Sequence, residues 1–317
     1  MLTGIATAVY NAYLRELRRG EVRGRRRRKL LRRARRQLLK LGDPDVIAPL
    51  EDFSFQTPFS SNILLLHFEF PLYDTGLPRL ARAIRAARGN LVMVDVGANV
   101  GAVTYLVSRA TPGKFLGIEA NPRFRPSLAH NFAQIPGSQW RLVALTDQPR
   151  QLTARHHYLD GNSNIEPAPG GETLEFITLD DALAAAPDFA APNLVKIDTE
   201  GFELRILRGG GKTLSSHHPT LFFEFFPEFI RREGGEPEDV FAVLRGHGYD
   251  YFMFYDGDGN FLVSLSGDQT EPLRSLRRYC ELRHSFFDVA AFHRADRDLR
   301  EVFQKSETEF FEQNSPC

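Results

Sequence analysis

Between residues 91 and 293 apolar runs alternate with amphipathic ones. Residues 91–96 are apolar and largely β-branched apart from Asp95, which predicts a parallel strand buried on both faces. A helix over 101–109 follows, then a turn at Pro112-Gly113 and a strand over 114–119. The alternation continues with helix 123–132, a turn at Pro136-Gly137 and strand 140–145. Residues 148–176 are polar and read as a hairpin excursion. Beyond them come helix 180–186, strand 193–197, helix 202–207 closed by Gly209 to Gly211, strand 220–225, and helix 238–245 ended by Gly246. Segments 251–255 and 261–265 flank the turn cluster 256–260, which predicts a hairpin. Residues 286–292 form a last strand and 296–311 a closing helix. Strands alternating with helices predict an α/β fold: a doubly wound, mostly parallel, seven-stranded sheet with an antiparallel end.

The first ninety residues follow a different pattern. Leu14, Leu17, Leu30, Leu31, Leu38 and Leu39 recur at loosely helical spacing, so 1–42 reads as one or two helices. Gly20, Gly24 and the charge run over 25–29 weaken an isolated helix there. Asp43-Pro44 marks a boundary. Residues 62–70 are expected to be extended. A helix over 77–88 carries Leu80 and Ile84 on one face and arginines on the other, with Gly89 as a left-handed cap.

Charge sharpens this division. The formal net charge of the 317 residues is zero, from 40 basic and 40 acidic side chains. Residues 1–40 hold 14 basic side chains against Glu16 and Glu21, a balance of +12, so the remaining chain stands at −12. Hydrophobic residues make up 42 % of the chain, enough for a packed core. Cys280 and Cys317 are the only cysteines, which excludes a disulfide framework and a cysteine zinc site. No apolar run approaches the ~20 residues of a membrane span, and no secretory signal opens the chain. A cytoplasmic protein is the expectation.

In sheets of this kind ligands bind beyond the carboxyl ends of the strands. The first strand runs into Gly97-Ala98-Asn99-Val100-Gly101, where glycine allows close backbone approach. The second ends in Glu119, at about the offset from which an acid accepts hydrogen bonds from both hydroxyls of a ribose. Together they predict an adenosine-type ligand. The nicotinamide fingerprint requires glycine where Asn99 stands, and a side chain there occupies the space of a pyrophosphate. S-adenosylmethionine, which has no phosphate, fits better. An NAD(P)-binding Rossmann oxidoreductase is the alternative from another class.

The same residues resemble the FkbM family of S-adenosylmethionine-dependent methyltransferases. Val94 to Gly101 with Thr104 resembles its first motif, and Glu119-Ala120-Asn121-Pro122 its second, where the family more often has proline at the position of Ala120. Ala144 to Asp147, Thr178 to Asp181, Lys196 to Glu203 and Glu224 follow in the family's order. The resemblance covers about 91–293. It implies a class I methyltransferase (Rossmann-like) fold and methyl transfer to a hydroxyl of a small molecule such as a sugar, glycan or secondary metabolite. It also implies Asp95, Gly97, Asn99, Gly101 and Thr104 around the methionine end of the cofactor, Glu119 on the ribose and Asp147 near the adenine. The chain then divides into a basic helical arm (1–42), a helix and strand extension packed on the core (43–90), the methyltransferase domain (91–295), and a C-terminal helix and tail (296–317).

An alcohol is a poor nucleophile, so a base or a metal must assist removal of its proton. Asp198 and Glu200 lie at the carboxyl end of the fourth strand and Glu224 at that of the fifth. One reading makes Asp198 or Glu200 the base. Another has Asp198 and Glu224 share a hard cation such as magnesium. The bland reading has Glu200 cap the next helix, Glu203 complement its dipole and Glu224 pair with Lys196. His156 and Asn164 are candidate substrate contacts in the 148–176 excursion. Contact within a homo-oligomer or with the chain's own acidic body, nucleic acid and an anionic membrane are the three partners considered for the arm. A nucleic-acid methyltransferase guided by the arm is the alternative within the same chemistry. It is opposed by the lack of an aromatic-proline catalytic tetrapeptide and of aromatics among the arginines of the arm.

Overall fold

The computed structural model describes residues 2–19, 25–50, 52–159, 162–168 and 171–314, without the side chains of 152, 154–167 and 172. The strands are β1 (Asp45–Leu50), β2 (Phe53–Pro58), β3 (Val92–Val96), β4 (Lys114–Glu119), β5 (Ser138–Leu142), β6 (Ala144–Leu145), β7 (Arg150–Leu159), β8 (Asn162–Pro167), β9 (Glu172–Ile177), β10 (Leu194–Ile197), β11 (Thr220–Phe225), β12 (Tyr249–Asp256), β13 (Phe261–Ser266) and β14 (Phe287–His293). The α-helices of the first half are α1 (Leu2–Arg18), α2 (Arg25–Leu39), α3 (Ile63–Glu69), α4 (Gly76–Arg88), α5 (Ala102–Ala110) and α6 (Arg125–Phe132). Those of the second half are α7 (Leu179–Ala184), α8 (Glu203–Gly209), α9 (Gly211–His217), α10 (Pro227–Arg232), α11 (Pro237–Gly246), α12 (Thr270–Arg283) and α13 (Arg297–Asn314).

The main sheet runs β13-β12-β14-β11-β10-β3-β4-β5. The five strands from β11 to β5 are parallel, and β14, β12 and β13 pair antiparallel at the other end. The α/β, mostly parallel sheet expected from the sequence is therefore present. It has eight strands rather than seven, because the outer strand of the 249–266 hairpin also joins it. Successive residues of the central strands feed two different cores. Met93 and Leu194 pack on one face with α4, α5 and the N-terminal region, whereas Val94 and Val195 pack on the other with α7, α8 and α11. That two-sided burial is why these strands read as unbroken apolar runs.

The N-terminal region departs from expectation. Residues 45–58 form the hairpin β1–β2, and 63–69 form α3 rather than an extended segment. A short apolar run such as Ile63–Leu66 does not distinguish strand from helix, and its partners decide. Leu64 and Leu65 turn into the core. The arm fixes the residues just ahead of them. Arg35 of α2 is buried and donates to the carbonyls of Phe59 (2.9 Å) and Ser61 (3.0 Å) and to Asn62 Oδ1 (2.6 Å). The helix over 25–39 forms despite its charge because this hydrogen bonding and its contacts with α1 hold it.

The 148–176 excursion is a hairpin with a further strand, forming a separate sheet of order β6-β9-β7-β8. Helices α10 and α12 were not foreseen from the sequence.

Candidate active site

The loop after β3 reverses direction within five residues. Gly97, Asn99 and Gly101 all take left-handed backbone conformations, with φ of 80°, 51° and 83°. Gly97 and Ala98 both donate backbone N–H bonds to the carbonyl of Ile118 on the neighbouring strand, at 2.9 and 3.0 Å. A Cβ at position 97 would overlap the carbonyl oxygen of Asp198, and one at 101 would come within 2.7 Å of the Phe132 ring. Glycine is thus required at 97 by both backbone angle and space.

Glu119 braces this loop. One carboxylate oxygen accepts from Asn99 N–H at 2.8 Å and the other from Asn121 N–H at 2.7 Å. Burial pushes its pKa up although these amides oppose the shift. Below the loop Asp95 is buried, accepts from Thr104 Oγ1 at 2.7 Å, and lies 3.3 Å from Lys196 Nζ. Lys196 stands opposite Asp95 in the β3–β10 register, and its ammonium also meets Asp198 at 3.3 Å and the Gly97 carbonyl at 3.1 Å. Burial opposes its charge, but Asp198 and Asp95 outweigh that and raise its pKa. A lysine in the otherwise apolar run 194–197 needs such partners, and this was the signal available in the sequence. The option that Glu224 pairs with Lys196 is not realised, because Asp95 and Asp198 take that place.

The turn after β10 carries strain. Glu200 adopts φ 57°, uncommon for a non-glycine residue, and Gly201 follows at 111°. Glu203, not Glu200, completes the helix start, accepting from Thr199 N–H at 2.7 Å and Thr199 Oγ1 at 2.9 Å. Arg232 donates to the carbonyl of Glu200 at 2.6 Å.

A cavity of about 420 Å³ opens above this framework. Of the residues singled out from the sequence, Gly97, Asn99, Glu119, Asp198, Glu200 and Glu224 line it. Asp95, Gly101 and Thr104 sit behind the loop and support it. Asp147 is off the wall, accepting from Thr146 Oγ1 at 2.9 Å with Arg205 at 3.7 Å. His156 and Asn164 fall on the paired strands β7 and β8, but their side chains lie outside the described residues. The extension adds wall residues the sequence did not reveal, including Leu66 and Phe70 of the α3 region, Tyr73 and Asp74.

The cavity is acidic. Asp74, Glu119, Asp198, Glu200, Glu224, Glu233 and Asp258 line it, against Lys196 and Arg232. Burial, with Asp198 and Glu203 nearby, raises the pKa of Glu200 to about 7, while Arg232 opposes the rise. Burial and the charges of Asp198, Glu203 and Glu200 push the Glu224 pKa well above its ordinary value, which favours the protonated acid. Its Oε2 is enclosed and makes no hydrogen bond with a described residue. Among the described residues no three His, Cys, Asp or Glu side chains come together as a metal-holding group, and no step is assigned to a metal. Nor is any described helix long and apolar enough to cross a membrane.

Residues 95–251 match the methyltransferase FkbM domain family. The hexuronic acid methyltransferase AglP of Haloferax volcanii is 27 % identical over 154 residues, 48 % of this chain and 61 % of that protein. The chain thus matches less than two thirds of that relative's length. Among solved structures, a methyltransferase FkbM from Methylobacillus flagellatus overlays on 62 % of this chain and 49 % of its own, at 16 % identity and a TM-score of 0.36. A TehB-like methyltransferase from Corynebacterium glutamicum overlays on 68 % and 86 %, at 14 % identity and a TM-score of 0.35. Overlays this loose carry no argument about the site. Through residues 95–251, the stretch that holds the glycine loop, Glu119, the Asp198–Glu200 turn and Glu224, the chain belongs to the FkbM methyltransferase family.

Proposed function

We propose that this protein is an S-adenosylmethionine-dependent O-methyltransferase acting on a hydroxyl of a small, sugar-like molecule. The observation that carries the reading is the meeting, in one cavity, of a glycine loop braced by Glu119 and a carboxylate, Glu200, with a pKa of about 7. The loop fits the cofactor. Gly97 has no room for a side chain, and Glu119 lines the cavity with its carboxylate held in place by backbone amides, ready to accept from a ribose hydroxyl. The cofactor supplies a methyl group on a cationic sulfonium.

The chain's own residues do the rest. Gly97, Asn99 and Glu119 hold the adenosine and methionine parts, with Asp95, Gly101 and Thr104 keeping the loop in shape. The wall formed by Leu66, Phe70 and Tyr73 excludes water and orients the acceptor, which supplies much of the acceleration in a displacement of this kind. The carboxylate of Glu200 takes the proton of the acceptor hydroxyl, and a pKa near the working pH suits that transfer. Glu224, whose protonated form is favoured by burial and by its acidic neighbours, donates a hydrogen bond to the acceptor instead of serving as a base. Asp198 is held by Lys196 and stabilises the positive end of the cofactor.

Calorimetry with S-adenosylmethionine, S-adenosylhomocysteine and NAD tests the cofactor, and transfer of labelled methyl to sugars, glycans, polyketides and RNA tests the acceptor. Binding of the first two ligands and label on a hydroxyl-bearing small molecule are expected. NAD binding with no S-adenosylmethionine signal, or label on RNA alone, would refute the reading.

A further inference from the structure

The arm does more than brace the cavity wall. Helix α2 has two unlike sides. Its inner side places Arg35 in the hydrogen bonds to the 59–62 segment, with Leu31, Leu38 and Leu39 packed on the core. On its outer side Arg25, Arg26, Lys29, Arg33, Arg36 and Lys40 are exposed, and none makes an ion pair with a described residue. At about 100° per residue the five of these cations that lie on α2, Arg25, Arg26, Lys29, Arg33 and Arg36, fall within an arc of roughly 100°, and Lys40 follows in the turn after it. Leu30 borders one edge of that arc and is 68 % exposed, and Leu41 in the turn is 73 % exposed. Ile5 of α1 is also open to solvent, at 48 %.

We propose that this outer face of α2 docks on an anionic lipid bilayer. A row of unpaired cations is attracted to a negatively charged surface within about a Debye length of ~10 Å. Leucines bordering such a row gain by entering the boundary between headgroups and acyl chains, as in interfacial amphipathic helices. On a nucleic acid the cations would meet phosphates equally well, but Leu30 and Leu41 would stay in water, and no aromatic side chain lies among the cations to stack on a base. The bilayer is the partner that uses both features of the face. Arg35 fixes α2 to residues 59–62, immediately ahead of α3 and the cavity wall. Docking therefore holds the cavity at a set position relative to the membrane surface.

The test is co-sedimentation of the full chain with vesicles of phosphatidylcholine alone and with about one third phosphatidylglycerol, at low salt and at about 0.5 M salt. Sedimentation with the anionic vesicles only, and its release by salt, is expected. The double substitution Leu30→Gln with Leu41→Gln, which keeps the charge of the face, should lower partitioning into anionic vesicles about tenfold and leave binding to a duplex RNA unchanged. Arg26→Glu with Arg33→Glu should lower both, and thermal melting checks that each variant is folded. Equal sedimentation with both vesicles, a leucine variant that partitions like the parent, or tighter retention on duplex RNA than on anionic vesicles overturns the proposal.

Discussion

The α-carbon of Gly97 packs against the main-chain carbonyl of Asp198 with no space for a methyl group between them. This contact joins the loop after β3 to the turn after β10, the parallel strand paired directly with it, two segments about a hundred residues apart. It sets the distance between the loop proposed for the cofactor and the turn that carries the proposed base. Gly97→Ala should therefore both shift the loop and strain its left-handed backbone. We expect a loss of roughly 2–3 kcal/mol in stability and a fall of at least about tenfold in affinity for S-adenosylmethionine. Chemical denaturation and calorimetry measure the two effects. A variant with parental affinity would show that this loop does not hold the cofactor.

Glu200→Gln separates proton removal from binding. The parent should lose kcat/KM as pH falls below about 7, because the base must be ionised and burial has raised its pKa to about 7. In the variant, kcat should fall about a hundredfold, that acid limb should disappear, and the affinity for S-adenosylmethionine should stay within about twofold. Glu203 also has a pKa raised to about 7, but its carboxylate is occupied by Thr199, so Glu203→Gln should disturb the turn and retain the acid limb. An acid limb that vanishes in Glu203→Gln and survives in Glu200→Gln would reverse the two roles.

Much of this organisation was legible in the sequence because burial on both faces leaves a plain mark. The runs 92–96, 114–119, 194–197 and 220–225 could hardly be anything but central strands, and Gly97, Asn99 and Glu119 stand at their ends or on the adjoining loop. What remained hidden depends on long-range partners. Ile63–Leu66 becomes a helix because Arg35, more than twenty residues earlier, fixes the segment before it. The reason for proposing Glu200 over Asp198 as base was equally hidden, because it depends on how deeply each is buried and on Lys196 pairing with Asp198. Tyr73 and Asp74 gave no signal of their own, since only the packing of the extension brings them to the cavity.

Glu224 makes stability depend on pH in a definite direction. Burial raises its folded pKa well above that of the unfolded chain. Its contribution is fully present below the unfolded value, about 4.5, and is lost as pH rises through the folded value. Glu224→Gln keeps the shape of the protonated acid and removes the titration. Relative to the parent, the variant should gain roughly 1 kcal/mol or more in unfolding free energy between pH 5 and pH 8. Urea titrations at the two pH values read the difference. A constant gap would mean that Glu224 is ionised in the folded protein.

Arg35→Ala tests whether the arm shapes the cavity wall. The substitution leaves the carbonyl of Phe59 without the Arg35 donor and that of Ser61 with only the 3.4 Å bond from Tyr10 Oη, and it removes a guanidinium stacked near Tyr10 and Phe59. A loss of about 3 kcal/mol is expected, from unsatisfied buried groups and lost packing. Because 59–62 leads directly into α3, KM for the acceptor should rise more than the affinity for S-adenosylmethionine falls. Equal losses in both would indicate general loosening instead of a wall held by the arm.

The charge of the cavity bears on which acceptor it admits. The relative from Haloferax volcanii is named for hexuronic acid, yet this cavity is lined by seven acidic side chains, and its two cations are already engaged. Lys196 faces Asp95 and Asp198, and Arg232 is bonded to the carbonyl of Glu200 and lies near Glu233. A carboxylate on the acceptor would enter a field of its own sign, in a recess where screening by salt is weak. A neutral or amino sugar meets no such repulsion, and its hydroxyls find acceptors on the wall. We expect kcat/KM for neutral or amino sugars to exceed that for uronates of the same configuration by at least about tenfold, with the difference mainly in KM. Asp74→Asn with Asp258→Asn should narrow that ratio by admitting the uronate. Preference for the uronate in the parent, or a ratio unmoved in the double variant, would mean that the acceptor binds away from this acidic wall.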